Sequence, residues 1–166
     1  MESNLSNNDK NVAAATHLST FSKYIFPFGN FILPLLLWTV NKDKPFVNEH
    51  GRQTLNFQLS ILVYTIGVGL LCLPFFIIFV TDFVSLVTVM EQHYQEVSIQ
   101  HVKNLSGYVI LFFIIAILLF GLFVFELYSV ITATIKASRG ETYSYPFTIG
   151  FIKPQPLKPE PNEHIS

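Results

Sequence analysis

At about 100° per residue on a helix, Glu49, Arg52, Gln53, Asn56, Ser60, Tyr64 and Gly67 share one sector about 120° wide. Only Val63 intrudes on it. A carboxylate, a guanidinium and two amides on one face can hold an ion, guide a polar solute or clamp a second polar helix. Far along the chain, Glu126 is the only charge between Lys103 and Lys136. Arg52, Gln53, Asn56 and Glu126 are therefore the candidate polar cluster inside a membrane. Buried ionisable groups there often mark a substrate or ion path. The plainer readings are a structural clamp or a Glu126 that sits at the interface.

Other residues carry less. His93, Glu96 and His101 have only generic spacing for a metal, and His50 reads as an interfacial polar residue. The single Cys72 lies inside an apolar run and reads as a small buried hydrophobe. No nucleophile stands beside a base, and no phosphate loop or metal signature appears. We therefore expect no enzyme, no catalytic or metal site and no cofactor. A net charge of -1 without a basic cluster gives no reason to expect nucleic acid.

The elements that would position these residues are apolar helices. Charged residues make up 13% of the chain, against roughly 25% in soluble proteins. Three stretches carry no charge: Tyr24–Asn41 with 18 residues, Gln53–Thr81 with 29 and Asn104–Phe125 with 22. About 20 apolar residues cross a bilayer. The expected fold is an all-α membrane protein with about three transmembrane helices, its apolar segments at about 18–41, 54–81 and 105–135. Pro27 and Pro34 should break or kink the first, and Pro74 should kink the second. The first segment is either a kinked span, the reading we favour, or a helix–turn–helix that re-enters on the side it left. Pro45 suits a helix start, Trp38 suits an interface, and Gly67 and Gly69 offer close packing.

Residues 1–15 are polar and expected to be disordered, 16–152 to form one membrane domain with an extramembrane connector at 82–104, and 153–166 to be a Pro-rich disordered tail. No signal peptide is evident. Lys42, Lys44 and Arg52 in the first connector, and Lys136, Arg139 and Lys153 near the end, put those regions and the C-terminus in the cytoplasm. Three spans would leave the N-terminus outside; re-entry would bring it inside.

Three phrases carry a resemblance: HLSTFSKYIFPFGNFILPLLLW, KDKPFVNEHGRQTLNFQLSILVY and IKASRGETYSYPFTIGFI. Together they resemble a Tic-twenty-like family of small bacterial membrane proteins of unknown function, named after a chloroplast inner-envelope import subunit. The match covers residues 17–64 and 131–152. Its core is Pro45, Phe46, Val47, Asn48, Glu49, His50 and Gly51, followed by Asn56, Phe57 and Gln58. The resemblance implies a multi-pass protein of the bacterial cytoplasmic (inner) membrane and, by distant analogy, a translocon-like or membrane-biogenesis component. Alternatives are a small transporter or pore along the polar stripe, and a structural or regulatory protein that binds a partner through its cytoplasmic motif. Lipid is the expected surrounding, with a homo-oligomer or a membrane-protein partner.

Overall fold

The computed structural model describes residues 5–92 and 99–154. Helix α1 is Asn7–Leu18, and a 3₁₀ segment, Ser19–Tyr24, follows it. Helices α2, Gly29–Asn41, α3, Pro45–Gln92, and α4, Ile99–Arg139, complete the order. All regular elements among the described residues are helical. Two helices are long and apolar enough to cross a membrane, Pro45–Glu91 and Lys103–Arg139, and Gly29–Asn41 is a shorter apolar one. The expected all-α membrane architecture holds.

Several details differ from expectation. Residues 7–15 are not a disordered tail. Ser6 caps α1 by accepting the Asn8 N–H at 3.1 Å, and Asp9 sits in the first turn, where the helix dipole favours an acid. The first apolar segment breaks at Ile25–Phe28, beside Pro27, whereas Pro34 lies inside α2. At 13 residues, α2 is about 20 Å long, short of the roughly 30 Å of hydrocarbon. Helix α3 continues through Pro74 to Gln92, and α4 starts at Ile99, so most of the connector expected at 82–104 is helical. His93 and Glu96 lie outside the described residues, as does most of the C-terminal tail.

The expected single domain clusters instead as two compact units. The first joins the chain up to Leu59 with the chain from Ser129 onward; the second is Ser60–Tyr128.

In the first unit, two glycines permit close approaches. A Cβ on Gly51 would lie 2.4 Å from the Trp38 ring, so the α2–α3 contact requires a bare backbone there. Trp38 also donates its indole N–H to Asn48 Oδ1 at 2.7 Å, which ties this aromatic into the protein. A Cβ on Gly29 would meet the Ser22 main chain at 2.6 Å, just after Phe28 turns the chain at a φ of 59°. Helix α4 ends in a Schellman pattern: Gly140 has a φ of 83°, and Glu141 N–H bonds back to Lys136 O at 2.9 Å. Residues 141–154 then run without regular structure along the same unit.

In the second unit, the apolar parts of α3 and α4 pair through Phe79 and Tyr108, whose rings meet edge to face at 5.2 Å. At the end of that pairing, Asp82 accepts from Tyr108 Oη at 2.7 Å and from Asn104 Nδ2 at 3.1 Å. A Cβ at Gly67 or Gly69 would meet nothing within 4 Å, so neither glycine serves the close packing expected of it within this chain.

Candidate functional site

Within the first unit, α3 presents two adjacent faces. Val47, His50, Thr54 and Phe57 recur at helical spacing and are all buried. Beside them runs the polar stripe. Sequence reasoning found the stripe and missed the buried face.

The stripe residues are absorbed by near neighbours. Arg52 forks onto Glu49, with Nε 3.1 Å from Oε2 and Nη2 on Oε1, and Gln53 Nε2 donates to the same Oε1 at 2.9 Å. Asn56 reads the main chain of one residue in both directions: Nδ2 donates to Ile152 O at 3.0 Å, and Oδ1 accepts Ile152 N–H at 2.8 Å. Arg52 Nη1 adds a bond to Ile152 O at 3.3 Å. Two residues beyond Asn56 along α3, Gln58 Oε1 accepts from Asn30 Nδ2 at 2.8 Å. Three of the four candidate cluster residues thus hold each other's neighbours and the C-terminal segment. Glu126 belongs to the other unit, where it is buried within the apolar run of α4.

The buried face of α3 carries the less expected arrangement. His17 Nε2 lies 2.7 Å from His50 Nδ1, and His17 Nδ1 lies 2.7 Å from Thr54 Oγ1 and 2.8 Å from Tyr145 Oη. Thr54 also donates to His50 O at 2.8 Å. Thr54 Oγ1 and Tyr145 Oη thus both face His17 Nδ1, and which partner donates in each contact is set by the tautomers of the two imidazoles, with His50 Nε2 at the far edge of its ring. The Glu141 main chain lies against that edge of the ring. Tyr145 stacks on Phe57 with ring centroids 4.1 Å apart, and Phe46 packs on His50 at 4.4 Å. The interfacial role expected for His50 is corrected, since the residue is 1% exposed and fully walled in.

This network joins α1, α3 and the C-terminal segment through hydrogen bonds that an apolar surrounding strengthens. His17 precedes the apolar segments, and its pKa falls from the usual 6.5 to about 3, first through burial and then through the neighbouring His50. The His17 imidazole is accordingly neutral near pH 7. The 2.7 Å separation leaves no room between the rings for a metal at 2.0–2.1 Å from each nitrogen. Among the described residues, no three His, Cys, Asp or Glu side chains converge to hold an ion.

No curated protein and no solved structure matches this chain. The Tic-twenty-like resemblance is overturned by the family comparison, which points elsewhere and takes the import analogy with it. The matched stretch runs from the first turn of α1 to Ile152, the residue gripped by Asn56, and so includes every side chain of the buried network. With residues 8–152 matched, the chain belongs to the MamF/MmsF family, the magnetosome magnetite crystal formation protein family.

Proposed function

We propose that this protein is a multi-pass component of a magnetosome membrane that takes part in magnetite crystal formation as a structural or regulatory protein rather than an enzyme. The observation that carries this reading is the family match over nearly the whole chain. Two helices of membrane-crossing length support it. So does a first unit whose polar groups are spent on holding α1, α3 and the C-terminal segment together. In this role the first unit binds a second copy or another membrane protein. Its charged end, with Lys42, Lys44 and Arg52, faces the cytoplasm together with the C-terminus, in keeping with the Lys and Arg balance. Deleting the gene in a magnetite-forming host, and measuring crystal size and number by electron microscopy, tests the reading. Altered crystals restored by the intact gene are expected; unchanged crystals would overturn it.

A second reading, a small transporter or pore, is favoured by the burial of Glu126 within an otherwise uncharged stretch. Ion flux in proteoliposomes that disappears in Glu126→Leu would support it, and flux that is absent in the unaltered protein would exclude it.

A further inference from the structure

Contacts along α3 fix how the first apolar segment runs. Near the start of α3, Asp9 of α1 pairs with Lys44 at 2.7 Å. About two to three turns on, His17 meets His50 and Thr54. Helix α2 returns in the opposite sense, with Asn30 on Gln58 and Trp38 on Asn48. The segment therefore goes out and comes back within about 21 Å of α3, the rise from Lys44 to Gln58. Its two ends lie together. Lys10 also sits against the end of α4, since a Cβ on Gly140 would come within 3.0 Å of Lys10 Cε.

The polarity of this hairpin inverts along its length. At the start of α1, the exposed residues Asn7, Asn8 and Asn11 are polar. From residue 12 to the turn, the exposed residues are Ala15, Leu18, Tyr24, Ile25, Pro27 and Phe28. Over that same stretch, Thr16, His17, Thr20 and Ser22 are buried. At the tip, Ile25 is 85% and Phe28 71% exposed. A turn facing water would show the reverse pattern. The hydroxyls are suited to a dry surrounding as well. Thr16, Ser19, Thr20 and Ser22 each donate to a main-chain carbonyl three or four residues back, at 2.6–2.8 Å. These four hydroxyls are thereby satisfied within the segment itself, as hydrocarbon demands. Lys23, the one Lys or Arg between Lys10 and Lys42, lays its ammonium over the Tyr24 ring at 5.3 Å, and its long stem can carry it toward headgroups.

We infer that α1, the 3₁₀ segment and α2 form a re-entrant hairpin whose tip, Tyr24–Phe28, is covered by the acyl chains of one leaflet. Residues 11 and 43 then lie on the same side of the membrane. The tip stands level with Gln58, about 9 Å along α3 beyond Arg52, where charge ends. The occupant of this apolar surface is lipid because, level with Gln58, α3 has already entered its charge-free, apolar stretch. This settles the choice between a kinked span and re-entry in favour of re-entry, and it places the start of α1 beside the end of α4.

Single-cysteine proteins made in a Cys72→Ser background, in sealed vesicles of one orientation, test the placement. Asn11→Cys and Asp43→Cys are expected to react with a membrane-impermeant maleimide added to the same face, whereas Ile25→Cys escapes it from either face. Labelling of residues 11 and 43 from opposite faces would overturn the inference. So would labelling of residue 25, or a residue 25 disulfide forming readily between two copies, which would show protein rather than lipid at the tip. The unaltered protein supplies a check that needs no substitution. A carbene-generating probe dissolved in the hydrocarbon phase is expected to modify the tryptic peptide that begins at Tyr24. An unmodified peptide, alongside labelled α4, would refute the insertion.

Discussion

The two units of this protein solve opposite problems. In Ser60–Tyr128, apolar side chains point outward along both long helices: Leu70, Phe76, Phe112, Ile117 and Phe120 are all more than 60% exposed. The first unit is packed around polar groups, with His17, His50, Thr54, Asn56 and Gln58 all buried. A bilayer rewards the former arrangement for its length and apolarity, almost irrespective of detail. The latter holds only if every buried donor and acceptor finds its partner, because an unpaired one costs about 1–3 kcal/mol. Specificity should therefore be concentrated in the first unit, and tolerance in the second.

Glycine substitutions test this contrast most severely. Gly51→Val should unfold the first unit or cost about 3 kcal/mol or more, since even a Cβ would lie 2.4 Å from Trp38 and the added methyls have nowhere to go. Gly67→Val, on the same helix, should leave stability unchanged, because its Cβ meets nothing within 4 Å. Denaturation of the two variants in detergent by titrated SDS, followed by circular dichroism, gives both numbers. Equal losses would break the comparison.

The next effect in size comes from the buried network. His17→Phe keeps an aromatic ring but removes its contacts with Thr54, Tyr145 and His50, so a loss of about 2–3 kcal/mol is expected. Tyr145→Phe keeps the stack on Phe57 and should cost about 1 kcal/mol. The same measurement orders the pair. A larger loss for Tyr145→Phe would mean that the C-terminal segment, not the imidazole pair, organises the unit.

Acid should act through the same residues. The folded unit resists protonating His17 down to about pH 3, while the unfolded chain takes up that proton near pH 6.5. The unfolded state thus binds more protons between these values, and stability falls as pH drops through that window. Amide exchange, corrected for intrinsic rates, should show residues 141–152 losing protection from pH 7.5 to 5. In the double variant His17→Gln, His50→Phe the pH dependence should flatten. Persistent dependence there would assign it to other groups.

Why one unit was legible in the sequence and the other less so follows from the same contrast. The second unit announces itself, since uncharged runs of 29 and 22 residues have one physical use. The polar stripe was also legible, because Glu49, Arg52, Gln53 and Asn56 share a face at helical spacing. Its partners were not. Asn56 is held by the main chain of Ile152, 96 positions away, and main-chain groups leave no trace in residue identity. The buried face was within reach: Val47, His50, Thr54 and Phe57 keep the i, i+3, i+4 rhythm, but a histidine beside an acid reads as exposed until burial is known. His17 and Tyr145, 128 positions apart, share no local pattern. The break at Ile25–Phe28 was half visible, in that proline gives the place of a break but not the direction in which the chain leaves it.

The smallest predicted effect probes a polar clasp in the second unit. Asp82 takes hydrogen bonds from Tyr108 and Asn104 where the uncharged runs end. Tyr108→Phe removes the hydroxyl, keeps the ring against Phe79 and leaves Asp82 its bond from Asn104. Its stability loss should be smaller than that of Tyr145→Phe, although each change deletes one tyrosine hydroxyl. Tyr145 sits among buried groups with no water to replace it, whereas Asp82 stands at the edge of an apolar run, where solvent or a headgroup can take over. A loss at Tyr108 equal to that at Tyr145 would mean that the helix pair of Ser60–Tyr128 also depends on a specific clasp, and the division between a tolerant and an exacting unit would have to be abandoned.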